Sequence, residues 1–346
     1  MANRLLRSPQ YITATQGNSG GTTVKSSKLT ITIEGTLRYT LVKDAVDGVP
    51  STFEWAELAR DYLDITFTGS YSTQPTFTIA LVLNFWDTAN AQGSQVGGNS
   101  SQTHFGFDGY GTFYEAASPS MSGTEFPAIS NYTQAGSSSS GAKTYTMYAP
   151  KNIEVRVPSI LNGTIVYNSS GYNGTSVVIN GTTVTINRID CTKFTSTYGY
   201  TELNGSSQGF IVSFINKYGA IQSEFFTLKT IRDIKAKRET FNSNTISSTG
   251  TYSINAHTKQ NFNINATQSI TLNSFYVPEY YSDVYSEMLL SEKVWVRYRE
   301  KSTGNFITIP INITDNNMIY KNSLNDRLIQ FEFSFDMSFD YINNVR

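Results

Sequence analysis

The sequence predicts a mainly β protein: tandem β-sandwich-like domains with two short amphipathic helices. Composition is the first ground. Of 346 residues, 39% are hydrophobic and only 15% charged, with 22 Tyr and 21 Phe. Both shares lie below globular averages, and Ser, Thr, Asn and Gly make up the difference. Aromatic and hydroxyl side chains suit pleated surfaces, and Asn and Gly suit turns. The second ground is the end of the chain. Phe331, Phe333, Phe335, Met337 and Phe339 alternate with Glu332, Ser334, Asp336 and Ser338. A strand puts those five apolar groups on one face, whereas a helix would scatter them.

Four segments follow from the patterning: an extended N-terminal arm over residues 1–25, a β domain with one helix over 26–142, a β-sandwich-like domain over 143–240 and a C-terminal β domain with one helix over 241–346. The arm is polar and Gly-rich. Leu29 to Ile33 and Leu37 to Val42 alternate around Gly35, which reads as a hairpin. Ser51 and Glu54 have the spacing of a capping box, and Trp55, Leu58, Ala59 and Tyr62 follow at helical spacing, so a helix of about three turns is expected there. Strands are expected over 62–68 and 77–85, with a loop over 87–102. Residues 117–142, low in complexity, read as a linker or long surface loop.

From Thr144 short strands recur: 145–148, 153–157, 163–167, 176–179 and 184–189, with Asn180-Gly181 marking a tight hairpin. Residues 210–214 and 224–228 flank a turn at Asn216–Gly219. In the last domain, 253–256, 261–265 and 269–272 read as strands. Pro278 introduces the second helix, with Tyr281, Val284, Tyr285, Met288 and Leu289 on one face. Strands over 294–298, 306–313 and 318–320 lead to a long one over 328–339.

Residue chemistry points to no reaction. Net charge is −1, from 26 basic and 27 acidic residues, without the basic excess of a general nucleic-acid binder. Lys229, Arg232, Lys235, Lys237 and Arg238 form one basic cluster, read as a solvated strand face. A single cysteine, Cys191, excludes an intrachain disulfide and a thiolate cluster, and reads as a buried thiol. The two histidines, His104 and His257, fall in different segments. Asp61 with Asp64 is the closest carboxylate pair and reads as a solvated helix face. Thr314–Asn317 offers oxygens for calcium without an EF-hand loop. His104–Gly111 holds Gly-x-x-Gly-x-Gly, which lacks the order and the lysine of a phosphate loop and reads as an aromatic turn or strand. No catalytic, cofactor-binding or metal-binding residue is assigned, no cofactor is expected, and no stretch is long and apolar enough to span a bilayer. The Asn-x-Ser/Thr triplets at Asn162, Asn173 and Asn180 read as by-products of composition.

Several stretches carry a resemblance: Phe53-Glu-Trp-Ala-Glu-Leu-Ala-Arg-Asp-Tyr62, Phe105-Gly-Phe-Asp-Gly-Tyr-Gly111, Phe214-Ile-Asn-Lys-Tyr-Gly-Ala220, Met288-Leu-Leu-Ser-Glu-Lys-Val-Trp295, Tyr320-Lys-Asn-Ser-Leu-Asn-Asp-Arg-Leu-Ile329 and Phe335-Asp-Met-Ser-Phe-Asp-Tyr-Ile-Asn-Asn-Val345. Together they resemble a virion protein of phages infecting Bacteroidetes, including crAss-like phages. The likeness spans most of the chain and weakens over 87–103 and 117–142. It implies a multi-copy structural component of the tail region, a hub or ring protein of a short-tailed phage, assembled in the host cytoplasm and without catalysis. The partners implied are further copies in a symmetric ring, other tail, ring or portal-proximal proteins, and packaged DNA in passing. A carbohydrate-binding adhesin or fibre is the alternative, and a carbohydrate-active enzyme the third reading.

Overall fold

The computed structural model describes residues 1–14, 23–45, 51–72, 74, 76–97, 100–115, 118, 120, 121, 123, 125–134, 143–190, 202, 203, 206, 207, 209–228, 230–299, 305–315, 317, 318 and 328–341. Strand accounts for 55% and helix for 7%, so the mainly β class holds, with several sheets and two short helices. The chain forms two compact units that are not consecutive in sequence. One comprises Met1–Asp190, Ser213–Glu224 and Tyr280–Glu292; the other comprises Cys191–Val212, Phe225–Glu279 and Lys293–Arg346. Patterning divides the chain differently, into successive segments. Composition shifts mark loops, and here the chain changes unit inside the strands Phe210–Ile215 and Ile221–Phe226, where no such shift exists.

In the first unit a six-stranded sheet has the order Thr36–Asp44, Ser26–Ile33, Phe77–Trp86, Ser100–Phe107, Ala2–Leu5, Ser120–Met121. Register aligns its apolar face: Leu29 lies opposite Leu83, Ile31 opposite Leu81 and Ile33 opposite Ile79. All six are buried, and they pack with Leu6, Ile12, Phe53, Trp55, Ala56 and Ala59. Each such aliphatic side chain contributes about 1.5–3 kcal/mol. The Glu34-Gly35 hairpin turn has φ of 50° and 74°, as the sequence pattern requires.

The N-terminus departs from the expected arm. Ala2–Leu5 pairs in parallel with Ser100–Phe107 on one side and with Ser120–Met121 on the other, while Tyr11–Ala14 pairs with Ser51–Glu54. Leu5, Leu6 and Ile12 are buried. Polarity hid this, because the alternation is only four residues long; residues 15–22 lie outside the described residues. The capping box is also corrected. Ser51–Glu54 is a strand, and helix α1 is confined to Ala56–Arg60. Glu54 still serves it, its Oε1 accepting from the Ala56 amide at 2.7 Å. Residues 62–68 form no strand, although Ile65 and Phe67 are buried.

The expected linker is woven into the first unit too. Glu125–Pro127 pairs with Arg156–Leu161, and Tyr132–Gln134 pairs with Lys143–Pro150; Ala128, Ile129 and Asn131 between them are fully buried. Residues 135–142 lie outside the described residues. Lys143–Pro150 runs parallel to Thr182–Ile189, which pairs through the Asn180-Gly181 hairpin with Ser176–Ile179. Both turn residues have positive φ, 45° and 76°.

The second unit is built on five adjacent strands in the order Val294–Arg299, Phe306–Ile313, Glu332–Met337, Lys259–Asn273, Thr230–Asn242, with Val277–Pro278 paired to Leu328–Ile329 apart from them. The C-terminal alternation works as expected over Phe331 to Met337. Phe333 lies opposite Leu272, Phe335 opposite Ile270, and Met337 opposite Ile311, all buried. Its extent is shorter than the sequence suggests: Leu328–Ile329 is a separate strand, and Phe339 is half exposed.

Candidate interaction surface

Thr230–Asn242 and Lys259–Asn273 pair over twelve positions, from Thr230 opposite Leu272 to Asn242 opposite Lys259. Among the described residues, only Ser269–Asn273 at the base pairs with a third strand, Glu332–Asp336. Beyond Ser269 the ladder is therefore a two-stranded ribbon, roughly 30 Å long at about 3.3 Å per residue. Such a ribbon has no interior, so alternation cannot hide a side chain, and a lone hairpin is marginal in water. Ile231, Lys235, Lys237 and Phe241 share one face; Arg232, Ile234, Ala236 and Arg238 share the other. The register shifts between Lys237 and Glu239, where Asn263 has φ 52°, a bulge that raises the local twist. The cluster expected to be a solvated strand face is largely that, and Lys229 lies outside the described residues.

Arg232 differs from the rest of the cluster. Its guanidinium lies 5.3 Å from the ring centre of Phe210 and 4.8 Å from that of Tyr298, with Nε and Nη2 buried and without a hydrogen-bond partner among the described residues. The aromatic rings root the ribbon at its base by cation–π attraction.

The apolar content of the ribbon is out of proportion. Ile231, Ile234, Phe241, Ile246, Tyr252, Ile254, Phe262 and Ile264 are between 44% and 89% exposed. Among the described residues, eight of the twenty-one large exposed apolar side chains thus fall within residues 230–273. Phe241 and Phe262 meet edge to face with centroids 5.7 Å apart. Beside them, Lys235, Lys237, Glu239, Asn265, Thr267 and Asp340 line a groove of about 280 Å³, where Asn265 Nδ2 donates to Asp340 Oδ2 at 2.6 Å. Segments 261–265 and 269–272 are thus one strand, and 253–256 is a turn at the ribbon tip rather than a strand.

The residues weighed for chemistry are placed apart. His104 is buried in the first unit, stacked on Trp55 at 5.7 Å, and burial with Arg4 nearby lowers its pKa to about 4; His257 is exposed at the ribbon tip. Asp61 follows the end of α1 and Asp64 lies in irregular chain, so they do not share a helix face. Asp315 caps the Ser334 amide at 2.6 Å. Cys191 lies outside the described residues. Among those described, no group of three His, Cys, Asp or Glu is arranged for a metal ion, and no helix is long and apolar enough to cross a membrane.

The glycine-rich stretch turns out to serve close packing. A Cβ on Gly109 would stand 2.4 Å from the Lys217 carbonyl oxygen, and the Tyr110 amide donates to that oxygen at 2.9 Å. Gly219 on the opposing turn has φ +82°, and its Cβ would stand 2.9 Å from the Asp108 nitrogen. Backbone meets backbone here, which leaves no room for a phosphate.

Two carboxylates with raised pKa do exist, and the sequence did not reveal them. Burial pushes Glu224 and Glu287 in the first unit up to about 7. Glu224 accepts from Gln222 Nε2 and from the Tyr281 hydroxyl, both at 2.8 Å. Asn131 Nδ2 donates to the Tyr281 oxygen at 2.8 Å and Asn131 Oδ1 accepts from Gln222 at 2.9 Å; Asn216 bridges Gln222 and the Ala128 carbonyl. Glu287 Oε2 accepts from the Lys217 amide at 3.1 Å. Both oxygens of Glu224 are engaged and the residue is 1% exposed, so no substrate atom reaches it. The network anchors helix α2, Ser282–Leu289, and the hairpin about Asn216 in the unit's core. The expected face largely holds: Tyr281, just before α2, and Val284, Tyr285 and Met288 on it are buried, and Leu289 is half-buried.

No protein-family model matches the chain, and no curated protein matches it.

Proposed function

We propose that the chain is a structural component of a bacteriophage virion, a multi-copy protein of the tail region that acts by binding other subunits and carries out no reaction. The observation that carries this reading is the ribbon with its base, which together hold eight large apolar side chains open to water along some 44 residues. Concentrated exposed apolar surface marks protein interaction, since water penalises it and a partner relieves that cost. The resemblance of the motif stretches to virion proteins of Bacteroidetes phages gives the assembly its setting. Quantitative mass spectrometry of purified particles from a phage encoding the chain, with antibody labelling under the electron microscope, tests it. Many copies per particle and label on the tail are expected; absence from particles overturns the reading.

A second reading, a glycan-binding adhesin, draws on Phe113 and Tyr114. These neighbours are 98% and 97% exposed, on a turn closed by Glu115, whose Oε2 accepts from the Thr112 amide at 2.6 Å and whose Oε1 accepts from Lys217 Nζ at 2.8 Å. Aromatic faces held out in this way suit sugar stacking. A glycan array with the Phe113→Ser/Tyr114→Ser variant as control decides it: binding lost in the variant favours the adhesin, and no signal from either protein removes it.

A further inference from the structure

We infer that the ribbon of one copy docks on the body of a second copy, at a surface other than that copy's ribbon, so that copies join head to tail. This rests on the assembly reading and adds the partner and the mode of contact.

The partner has to be a protein surface. Ile234 lies on one face of the ribbon, and Ile231 with the Phe241–Phe262 pair on the other. A polyanion drawn by Lys235, Lys237 and Arg238 would contact the charges and leave these groups wet. An apolar surface or cleft that encloses the ribbon covers both.

Charge selects the second copy and disfavours its ribbon. Residues 230–273 carry five basic side chains, Arg232, Lys235, Lys237, Arg238 and Lys259, against two acidic ones, Asp233 and Glu239, a net of +3. The whole chain is −1, which leaves −4 on everything else. Ribbon and body therefore attract, and two ribbons repel.

Edge pairing between ribbons is blocked as well. Two-fold antiparallel pairing of Thr230–Asn242 with its own copy over its full length centres on Ala236. It sets Lys235 against Lys237 and Asp233 against Glu239, and like charges directly opposite are destabilising. A shift that centres the pair on Lys235 or Lys237 sets that lysine against itself. The other edge is interrupted by the bulge at Asn263, a device that discourages strand addition. An arm whose own edges are closed to its twin, and whose side chains need covering, makes a heterologous contact, which propagates into a ring or a filament.

The test places a photo-crosslinking phenylalanine analogue at Phe262 in the full-length chain. Unlabelled and ¹⁵N-labelled copies are mixed, irradiated and mapped by mass spectrometry, with light scattering on the same sample. The expected result is an oligomer with mixed-isotope cross-links from the ribbon to peptides outside residues 230–273. The Phe241→Ser/Phe262→Ser variant should raise the dissociation constant at least tenfold with its circular dichroism unchanged. Ribbon-to-ribbon cross-links between copies overturn the head-to-tail mode. A monomer at every concentration, or cross-links confined to one copy, overturns the second-copy partner. That failure leaves the virion reading standing, because copy number in purified particles is measured without reference to self-association.

Discussion

Arg7 grips Asp108 through two parallel hydrogen bonds, Nε to Oδ1 at 3.0 Å and Nη2 to Oδ2 at 3.2 Å, with both side chains 6% exposed. The pair ties the N-terminal segment to the turn after Ser100–Phe107, and the Arg7 amide donates to the Gly109 carbonyl beside it at 2.8 Å. Arg60 adds a second, more exposed contact to Oδ1 at 3.3 Å. Removing one member of a buried pair leaves an uncompensated charge and typically costs about 3–5 kcal/mol. Arg7→Met should therefore lower stability by about 3 kcal/mol, since Arg60 remains, whereas Arg60→Met should cost less than about 1 kcal/mol, the range of exposed pairs. Urea unfolding of both variants checks this, and equal losses would contradict it.

Deleting residues 1–14 should prevent folding of the first unit rather than loosen an assembly. The deletion takes out a strand with partners on both sides and the buried Leu5, Leu6 and Ile12. Large core deletions cost several kcal/mol each against a total stability of about 5–15 kcal/mol. Circular dichroism and proteolysis of the truncated chain read the outcome; a folded, soluble product would refute it.

Stability should fall as pH rises toward neutrality. Glu224 and Glu287 titrate near 7 when folded, because burial penalises the carboxylate, against 4.5 for an open chain. Between those values the unfolded state has already released protons that the folded state keeps. Their contribution is whole below 4.5 and is lost as pH climbs through about 7. His104 acts in the opposite sense: lowered from 6.5 to about 4, it stabilises the fold fully above 6.5 and less as pH drops toward 4. Two carboxylates outweigh one imidazole where the windows overlap. Urea unfolding between pH 5 and 8 should show the decline in the native protein, and the Glu224→Gln/Glu287→Gln variant should lose it. Identical pH profiles for the two proteins would count against the assignment.

Gly109→Ala should destabilise by about 1–3 kcal/mol, the range for overpacking a tight contact. Its Cβ would meet the Lys217 carbonyl oxygen at 2.4 Å, Leu5 Cδ2 at 2.7 Å and the Tyr218 carbonyl carbon at 2.9 Å, so two of the three contacts are with backbone. The melting temperature of the variant measures it.

What could be read in advance was whatever one strand or turn encodes alone. The Phe333–Phe335–Met337 alternation, the Asn180-Gly181 turn and the buried stripe of α2 depend on neighbours in sequence, and each appears as expected. What was lost depends on partners far along the chain. Asn131 sits in a stretch whose composition suggests a loop, yet it is fully buried because Gln222 and Tyr281 satisfy it. Ser51 and Glu54 fit a capping box, but pairing with Tyr11–Ala14 outweighed the local preference. The sequence pattern marks the ribbon as strands and as a basic cluster. Its lack of a third strand among the described residues, which turns its side chains into exposed surface, is a property of topology that no local pattern records.

The division of the first unit among three separate stretches also sets an order of events during synthesis. A ribosome that has finished the first 190 residues has made most of this unit, yet Asn131 still lacks its amide and phenol partners and the hairpin about Asn216 does not exist. Completion waits until Glu292 has cleared the exit tunnel. Until then the nascent protein presents unfinished apolar and polar surface, the state that chaperones recognise. The interval before the closing helix emerges is thus the window in which the newly made protein is open to aggregation.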